Sequence, residues 1–412
     1  MKVLVVNAGS SSHKARLYAI PGSGPPLEPP QPLWSGALQW GQSHETAEMT
    51  VTAGEDRWSE TLEVADRDTG LDRLLTTLFQ GRTAVLHDPT EVVAVGHRVV
   101  HGGPDYSTPV AVDAAVRAAI DEHAPLAPEH NPVQLQGIDT AARRFPGVLQ
   151  VAVFDTAFHR RMPDAAASYP LPYAWTARGI RRYGFHGISH RHAAEQAAAL
   201  LGRPLEELRL VTCHLGHGAS LAAVRRGRSV DTTMGFTPLE GLMMGTRSGS
   251  IDPAIPLYLQ RQHGLAVEEV ERLLNRESGL YGVSGVSSDM REVLEAAAAG
   301  KKRARFALDL YVHQLRRHLG AMLASLEGLD AVVFSGGVGE HAAAIRSRAC
   351  RGLAYAGLWL DEARNAEGPY DTDLAEPGSA AAVFVVAARE EWAIARQAWA
   401  LAAHPAARSG VG

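Results

Sequence analysis

Two segments half a chain apart follow one plan. VLVVNAGSSSHKARLYAI (residues 3–20) and LVTCHLGHGASLAAVRRG (residues 210–227) each run from an apolar strand through a turn of small residues into a second strand. Asn7-Ala8-Gly9-Ser10 stands in the first where His217-Gly218-Ala219-Ser220 stands in the second. A repeat at that interval predicts an internal duplication, with two similar α/β domains presenting their glycine loops to one cleft. The plan alone is not specific, because any two strand–glycine–strand hairpins look alike.

Length and composition agree with a globular enzyme-sized chain. The 412 residues suggest two or three domains at roughly 100–200 residues each. The apolar fraction of 46% is ordinary for a protein with a real core. A formal net charge of -5 does not point to nucleic acid. Cys213 and Cys350 have no metal or redox spacing and read as reduced structural thiols of a cytoplasmic protein. Met1-Lys2 leads straight into a strand, without the apolar region of a signal peptide. No apolar run approaches the roughly 20 residues that span a bilayer, so no membrane partner is expected.

Periodicity outlines the elements. Residues 3–6 read as a buried strand, and PGSGPPLEPPQPL (residues 21–33) as a surface loop, because proline has no amide to donate. A helix is expected at DRLLTTLF within residues 55–80 and another at residues 190–201. Strands are expected at residues 91–100 and 149–155. Leu308, Val312, Leu315, Leu319, Met322, Leu323 and Leu326 recur at helical spacing, and Gly328 can stop that helix. AVVFSGGVGEH (residues 331–341) reads as strand and glycine loop, VFVV and the residues after it as a last strand and helix, and HPAARSGVG as a frayed tail.

Several loops carry chemistry. NAGSSSHK (residues 7–14) has the parts of a phosphate loop: glycine for close approach, hydroxyls and amides as donors, and Lys14 as a point charge. It lacks the Walker A spacing, and a polar hairpin turn is an equal reading. Arg98 at a strand end suits a carboxylate or phosphate, or an ordinary salt bridge. Asp155 at a strand tip suits Mg²⁺ through water, or a helix cap. The glycines around Phe185-His186 suggest tight, exposed presentation of both rings, against the plainer reading of a turn with a core phenylalanine. Residues 234–252 (MGFTPLEGLMMGTRSGSID) have little periodicity and look like an active-site loop. SSDMR (residues 287–291) and SGGVGEH (residues 335–341) read as two more loops able to hold a nucleotide.

Taken together, these segments resemble the acetate kinase family, within the acetate, propionate and butyrate kinases. The resemblance rests on NAGSSSHK, GHRVVHGG (residues 96–103), LAPEHNP (126–132), VFDTAFH (153–159), YGFHGISH (183–190) and CHLGHGAS (213–220). It continues through DTTMGFTPLEGLMMGTRSGSIDP (231–253), SGVSSDMR (284–291), GVGE (337–340) and Glu390-Glu391, in order along nearly the whole chain. The resemblance implies an α/β fold of two duplicated RNase H-like domains, of the superfamily of sugar kinases, heat-shock chaperones and actin, around a central cleft. Domain one would span residues 1–156, completed by 389–412, and domain two 157–388. It also implies a cytoplasmic homodimer that converts ATP and acetate reversibly into ADP and acetyl phosphate with Mg²⁺, or Mn²⁺ in its place.

Residue roles follow from the same resemblance. Arg98, Asp155, His186 and Arg247 are the expected catalytic set, the two arginines holding the carboxylate and the moving phosphoryl group and His186 stabilising it. Asn7, Asp155 and Glu390 would hold the metal. Asn7, Ser10, Ser12 and Lys14 would line the phosphate side. On the nucleotide side the expected contacts are His214, Gly216, His217 and Gly218, then Asp289, Met290 and Arg291, then Gly337, Val338, Gly339 and His341. Val100, Phe185 and Pro238 would shape the acyl pocket, joined by Glu129.

Four positions depart from the family pattern. His217 and His341 stand where asparagine is usual in HLGNGAS and GIGEN, and Ser250 where TRSGDIDP has aspartate. A charged His217 would add a pH dependence below about 7. Glu129 replaces the leucine of LAPLHNP, and a carboxylate buried beside a carboxylate substrate is unfavourable unless protonated or paired. Glu129 is therefore expected to turn to His130 or an arginine, or to read a polar group on a larger acid. Propionate or butyrate kinase is the near alternative, and a catalytically silent ATP-binding clamp of the same fold the more distant one.

Overall fold

The computed structural model describes residues 1–9, 12–41, 46–368 and 370–404. Ser10 and residues 405–412 of the expected frayed tail lie outside the described residues. The chain forms two units, Met1–Arg160 with Arg389–Gly412, and Arg161–Ala388.

In the first unit the opening apolar run forms β1 (Lys2–Ala8), paired antiparallel with β2 (Ser12–Ala19). The sheet continues through β3 (Trp34–Trp40), β4 (Thr46–Ala53) and β5 (Asp56–Glu63) on one side. On the other side β6 (Val92–Val99) and β8 (Leu149–Phe154) run parallel to β1, and β7 (Val110–Ala111) closes the edge. The order is β5-β4-β3-β2-β1-β6-β8-β7. Strand alternation sends Leu4, Val6, Ala15, Leu17 and Val95 into one core with Leu71, Leu74, Ala141 and Phe145 of the helices Arg67–Thr76 and Asn131–Arg144. The opposite face takes the helix Glu390–Ala403. Gly96 makes that approach close: a methyl there would lie 2.8 Å from Ile394 Cγ2. Tyr18 meets Trp392 edge-to-face at 5.1 Å on the same side.

The second unit has β9 (Arg209–Leu215), β10 (Ala219–Arg225), β11 (Arg228–Thr232), β12 (Ala331–Ser335) and β13 (Ala382–Val385), in the order β11-β10-β9-β12-β13. Adjacent residues of β9 face opposite ways. Thr212 meets His190 of the helix Gly187–Leu201, while burial and the neighbouring Cys213 raise the hydroxyl pKa of Tyr311 on the helix Lys302–Leu326.

The duplication read from the two hairpins is present in both sheets. The series β3-β2-β1-β6-β8 and β11-β10-β9-β12-β13 have the same order and the same pattern, two antiparallel pairings followed by two parallel ones. The expected α/β class with two related domains is therefore the observed one.

The helix expected at DRLLTTLF is present as Arg67–Thr76, preceded by β5 at residues 56–63. Two local expectations are corrected. SGGVGEH is not a glycine loop: Gly336–His341 is a helix, tied by Glu340, whose Oε1 accepts the Gly336 N–H at 2.9 Å and the Ala388 N–H at 2.9 Å. SSDMR is not a free loop either. Asp289 caps the helix Met290–Ala298 by accepting the Arg291 N–H at 2.8 Å.

Candidate functional site

In the first unit the polar positions gather at one end of one sheet face. Asn7 pairs in register with Lys14, so their side chains share a face, and Ser12 lies two residues along β2 on that face. Val5 pairs with Gly96, which places Arg98 on the same face, the one covered by the helix that begins at Glu390. Arg98 donates from Nε and Nη2 to both oxygens of Asp155, the shortest contact being 2.7 Å, and its Nη1 lies 3.9 Å from Glu390 Oε2. Burial opposes the charge on Arg98, but Asp155 and then Glu390 outweigh it and hold its pKa above the ordinary value. Asp155 itself is buried, and the short turn Ala157–His159 that follows has Thr156 at its N-cap.

These residues fit a cation that arrives with phosphates better than a closed protein cage. Among the described residues no group of three or more His, Cys, Asp or Glu is arranged to hold a metal. Mg²⁺ is commonly held by one or two carboxylates, with water and phosphate oxygens completing the shell. Asp155 and Glu390 on either side of Arg98, with the Asn7 amide, are a donor set of that kind.

In the second unit three expected residues converge. His186 precedes the helix Gly187–Leu201 in a left-handed conformation, φ 57° and ψ 22°. Such a backbone is uncommon for a side chain with Cβ and is found at sites where the surrounding structure holds it. Tyr183 and Gly184 donate their N–H groups to Gly235 O at 3.1 and 3.3 Å, which fixes the approach to His186. Gly218 marks the meeting point: a methyl there would lie 3.4 Å from Arg247 Nη2 and 3.4 Å from His186 Cε1. Arg247 also donates from Nη1 to Pro238 O at 2.9 Å, linking two expected site residues. The His214 ring lies 4.7 Å from that of His186.

The loop that carries Arg247 is clamped from below. Arg182 Nη1 reaches the carbonyls of Thr232, Thr233 and Met234 at 3.2–3.3 Å, and its Nη2 pairs with Glu240 Oε1 at 2.7 Å. The Tyr169 hydroxyl donates to Glu240 and accepts the Phe236 N–H at 2.8 Å. The segment read as an active-site loop has no regular secondary structure across residues 233–253.

Other expected residues sit apart or differ in setting. Phe185 is buried, not exposed, so the plainer reading of a core phenylalanine is correct there. Glu129 is exposed, which removes the cost of burying a carboxylate beside the acid. His217 packs on Gly245, where a methyl would come 2.7 Å from its Nδ1. Burial and then Arg247 lower its pKa, which favours the neutral ring. Asp289 is engaged by Arg291, whose Nη2 donates at 2.6 Å; this bond, with the helix cap, lowers its pKa. Gly337 is exposed and open to solvent on its Cβ side, and His341 is exposed. Val100 is buried, its N–H donating to Gln134 Oε1 at 2.9 Å.

The sequence profile of the acetokinase family matches residues 2–396. The chain belongs to the acetokinase family. It is 52% identical over 400 residues to the acetate kinase of Gloeobacter violaceus, covering 97% of this chain and 99% of that one. Among solved structures it matches an acetate kinase of Porphyromonas gingivalis with a TM-score of 0.89 and a propionate kinase of Francisella tularensis with 0.88. Each is 37% identical and covers 97% of this chain and 99% of the other.

Four residues around the candidate site, Ser220, His190, Arg182 and Glu240, carried no expected role in the sequence. The hydroxyl of Ser220 lies 2.9 Å from His186 Nδ1 and 2.7 Å from His190 Nε2. The sequence signal was slight: His186 immediately precedes the helix that carries His190, and the serine stands in the strand after the glycine loop. The clamp by Arg182 and Glu240 was also missed, because charged residues 58 positions apart carry no local pattern.

Proposed function

We propose that this acetokinase transfers the γ-phosphoryl group of ATP to acetate, giving acetyl phosphate and ADP reversibly by direct in-line displacement. The observation that carries the reading is the convergence of Arg247 and His186 on the space left by Gly218. A site of that kind is made to neutralise a dense anion. The acceptor carboxylate is already ionised at pH 7, its pKa being about 4 like that of an aspartate side chain, so no general base is needed. What remains is to bring two anions together and hold them in line. Arg247, held by Pro238 O, and His186 supply donors to the moving group. Arg98, kept charged by Asp155 and Glu390, supplies the second guanidinium. Lys14, Ser12 and Asn7 line the phosphate side, and residues 289–291 and 337–341 the nucleotide side.

Asn7, Asp155 and Glu390 would hold a Mg²⁺ ion, which would neutralise charge on the bound phosphates. A second copy of the chain is the proposed partner. The helix Ala254–His263 buries none of its residues; Leu257 and Tyr258 on it are exposed, as is Val267 at the start of the next helix. The proposed location is the cytoplasm, where ATP is abundant and the buried thiols Cys213 and Cys350 stay reduced.

The test is ADP release by purified protein with ATP, Mg²⁺ and each of acetate, propionate and butyrate, beside an Arg247→Ala control. Acid-dependent turnover that the control loses, highest with acetate, is the expected result. Nucleotide binding without turnover on any acid would refute the reading.

A further inference from the structure

Residues 233–253 carry Arg247 without regular secondary structure, so no helix or sheet ladder fixes them. Side chains take that task, and they gather around Gly235. The Gly235 carbonyl accepts the N–H groups of Tyr183 and Gly184 at 3.1 and 3.3 Å, three and two residues before His186. Its Cα faces the bond from the Tyr169 hydroxyl to Glu240 Oε2, and a methyl at 235 would overlap both partners. The Arg182 guanidinium lies over the Tyr169 ring at 5.4 Å. Its Nη1 donates to the carbonyls of Thr232, Thr233 and Met234, and its Nη2 to Glu240 Oε1. Both oxygens of Glu240 are thus engaged, one by Arg182 and one by Tyr169. The Tyr169 hydroxyl also accepts the Phe236 N–H at 2.8 Å. Burial raises the pKa of that hydroxyl, against the pull of Arg182, so it stays a donor to Glu240.

This clamp reaches the two expected catalytic side chains by separate routes. Toward His186 the route is short. Arg182 is followed by Tyr183 and Gly184 on the Gly235 carbonyl, and then by the left-handed residue 186. Toward Arg247 it runs through Pro238, two residues past Phe236, whose carbonyl accepts from Arg247 Nη1 at 2.9 Å. The backbone around Arg247 is closed as well. Gly241, next to Glu240, donates to Ser250 Oγ at 3.0 Å and accepts the Ser250 N–H at 2.9 Å. Within that closure the Met244 N–H donates to Arg247 O at 3.1 Å. Arg247 therefore stands in a segment whose near end is fixed at Glu240.

We infer that Tyr169, Arg182 and Glu240 are positioning residues that set His186 and Arg247 against each other, through Gly235 on one side and Pro238 on the other. A clamp that served the fold alone would lower the melting temperature when cut and leave the chemistry of the folded protein unaltered. A clamp that aligns two donors is read in the chemical step, where a misplacement of about 1 Å can cost about 100-fold.

The kinetic consequence rests on the proposed phosphoryl transfer; the placement of the two segments does not. Tyr169→Phe keeps the ring under Arg182 and removes the hydroxyl that joins Glu240 to the Phe236 N–H. Glu240→Ala removes both acceptors, and Glu240→Gln restores one. Tyr169→Phe and Glu240→Ala are expected to lower kcat by about 10- to 100-fold, measured well below their melting temperatures. KM for acid and nucleotide should hold within about two-fold, since the lost alignment matters in the transition state. Glu240→Gln should exceed Glu240→Ala in kcat by about five-fold, the worth of one hydrogen bond. Hydrogen exchange of the same full-length variants, read peptide by peptide, should quicken over residues 183–190 and 233–247 together and match wild type elsewhere. Wild-type kcat in Tyr169→Phe, even with a lower melting temperature, would overturn the inference. So would quickened exchange confined to residues 233–247. If Glu240→Ala fails to fold, Tyr169→Phe decides. If the wild type turns over no acid, the proposed function falls and the exchange of Tyr169→Phe still decides whether one clamp holds both segments.

Discussion

Arg98 grips Asp155 along its Nε–Nη2 edge and turns Nη1 toward Glu390, so one guanidinium stands between two carboxylates. The pair is not a surface ion pair: the side chains of Asp155 and Arg98 are 2% and 19% exposed. In such a setting each charge depends on the other. Removing one partner leaves the second desolvated and uncompensated.

Asp155→Asn should therefore lower stability by about 3–5 kcal/mol, the range for breaking a buried pair. Turnover should fall as well, because Arg98 loses the contact that orients it. A thermal melt and an ADP-release assay check both. A variant as stable as wild type would mean that Asp155 does not hold Arg98 in place.

Gly218→Ala separates function from stability. The added methyl would meet its neighbours at 3.4 Å or more, which is ordinary contact, and Gly218 does not need a positive φ. Alanine also restricts the unfolded chain more than glycine does, so the melting temperature should stay level or rise slightly. The methyl fills the space between His186 and Arg247, and kcat should fall by at least about ten-fold, a little over 1 kcal/mol. Full activity would show that the moving group does not pass there.

Acid sensitivity should reside in the first unit. Burial lowers the pKa of His13 and His97 to about 4 and that of His101 to about 3, from 6.5 in each case; Arg67 adds to the shift at His13, and His123 to that at His101. The unfolded chain then takes up protons that the folded chain refuses. The stability these neutral rings contribute is whole above pH 6.5 and is lost as pH falls toward 4, by at most about 1.4 kcal/mol per pH unit for each ring. His13 lies edge-to-face on Trp40 at 5.3 Å, and neither of its nitrogens has a hydrogen-bond partner. His13→Phe should keep the ring contact, remove one titrating group and raise the melting temperature more at pH 5 than at pH 8. Equal gains at both pH values would exclude His13 from the acid transition.

Glu129→Leu should leave the ranking of acetate, propionate and butyrate unchanged. An enclosed pocket discriminates one methylene by about 1–3 kcal/mol, and an exposed side chain cannot exert that. Relative kcat/KM for the three acids checks it. A clear shift toward longer acids would place Glu129 at the mouth of the acyl site when substrate is bound.

What could be read from the residues divides along physical lines. The buried strands of both hairpins were legible because continuous apolar runs bounded by glycine leave few other structures. β5 was not, since six of its eight residues are exposed and offer no apolar pattern. β4 carried a signal that was passed over: Ala47, Met49 and Val51 alternate inward. Glycines misled at 336–341, where a carboxylate from Glu340 ties down a helix that composition argues against. At the candidate site, the family resemblance carried by the short motifs pointed to His186 and Arg247. Their supports did not, because Ser220, His190 and Glu240 act through distances that exist only after folding.

The helix Glu390–Ala403 closes the face of a sheet whose first strand begins at Lys2, with Gly96 receiving Ile394 and Leu27 O accepting from Trp392 at 3.2 Å. The ribosome delivers that helix only after the whole of Arg161–Ala388. Domains usually fold in the order of synthesis, at about 5–20 residues per second. Here the unit translated first waits for the last helix, with one face of β1 and β6 uncovered for tens of seconds, while the inserted unit already has every strand it needs. The nascent chain thus matures from the inside of its sequence outward, and the early sheet is the part most in need of a chaperone.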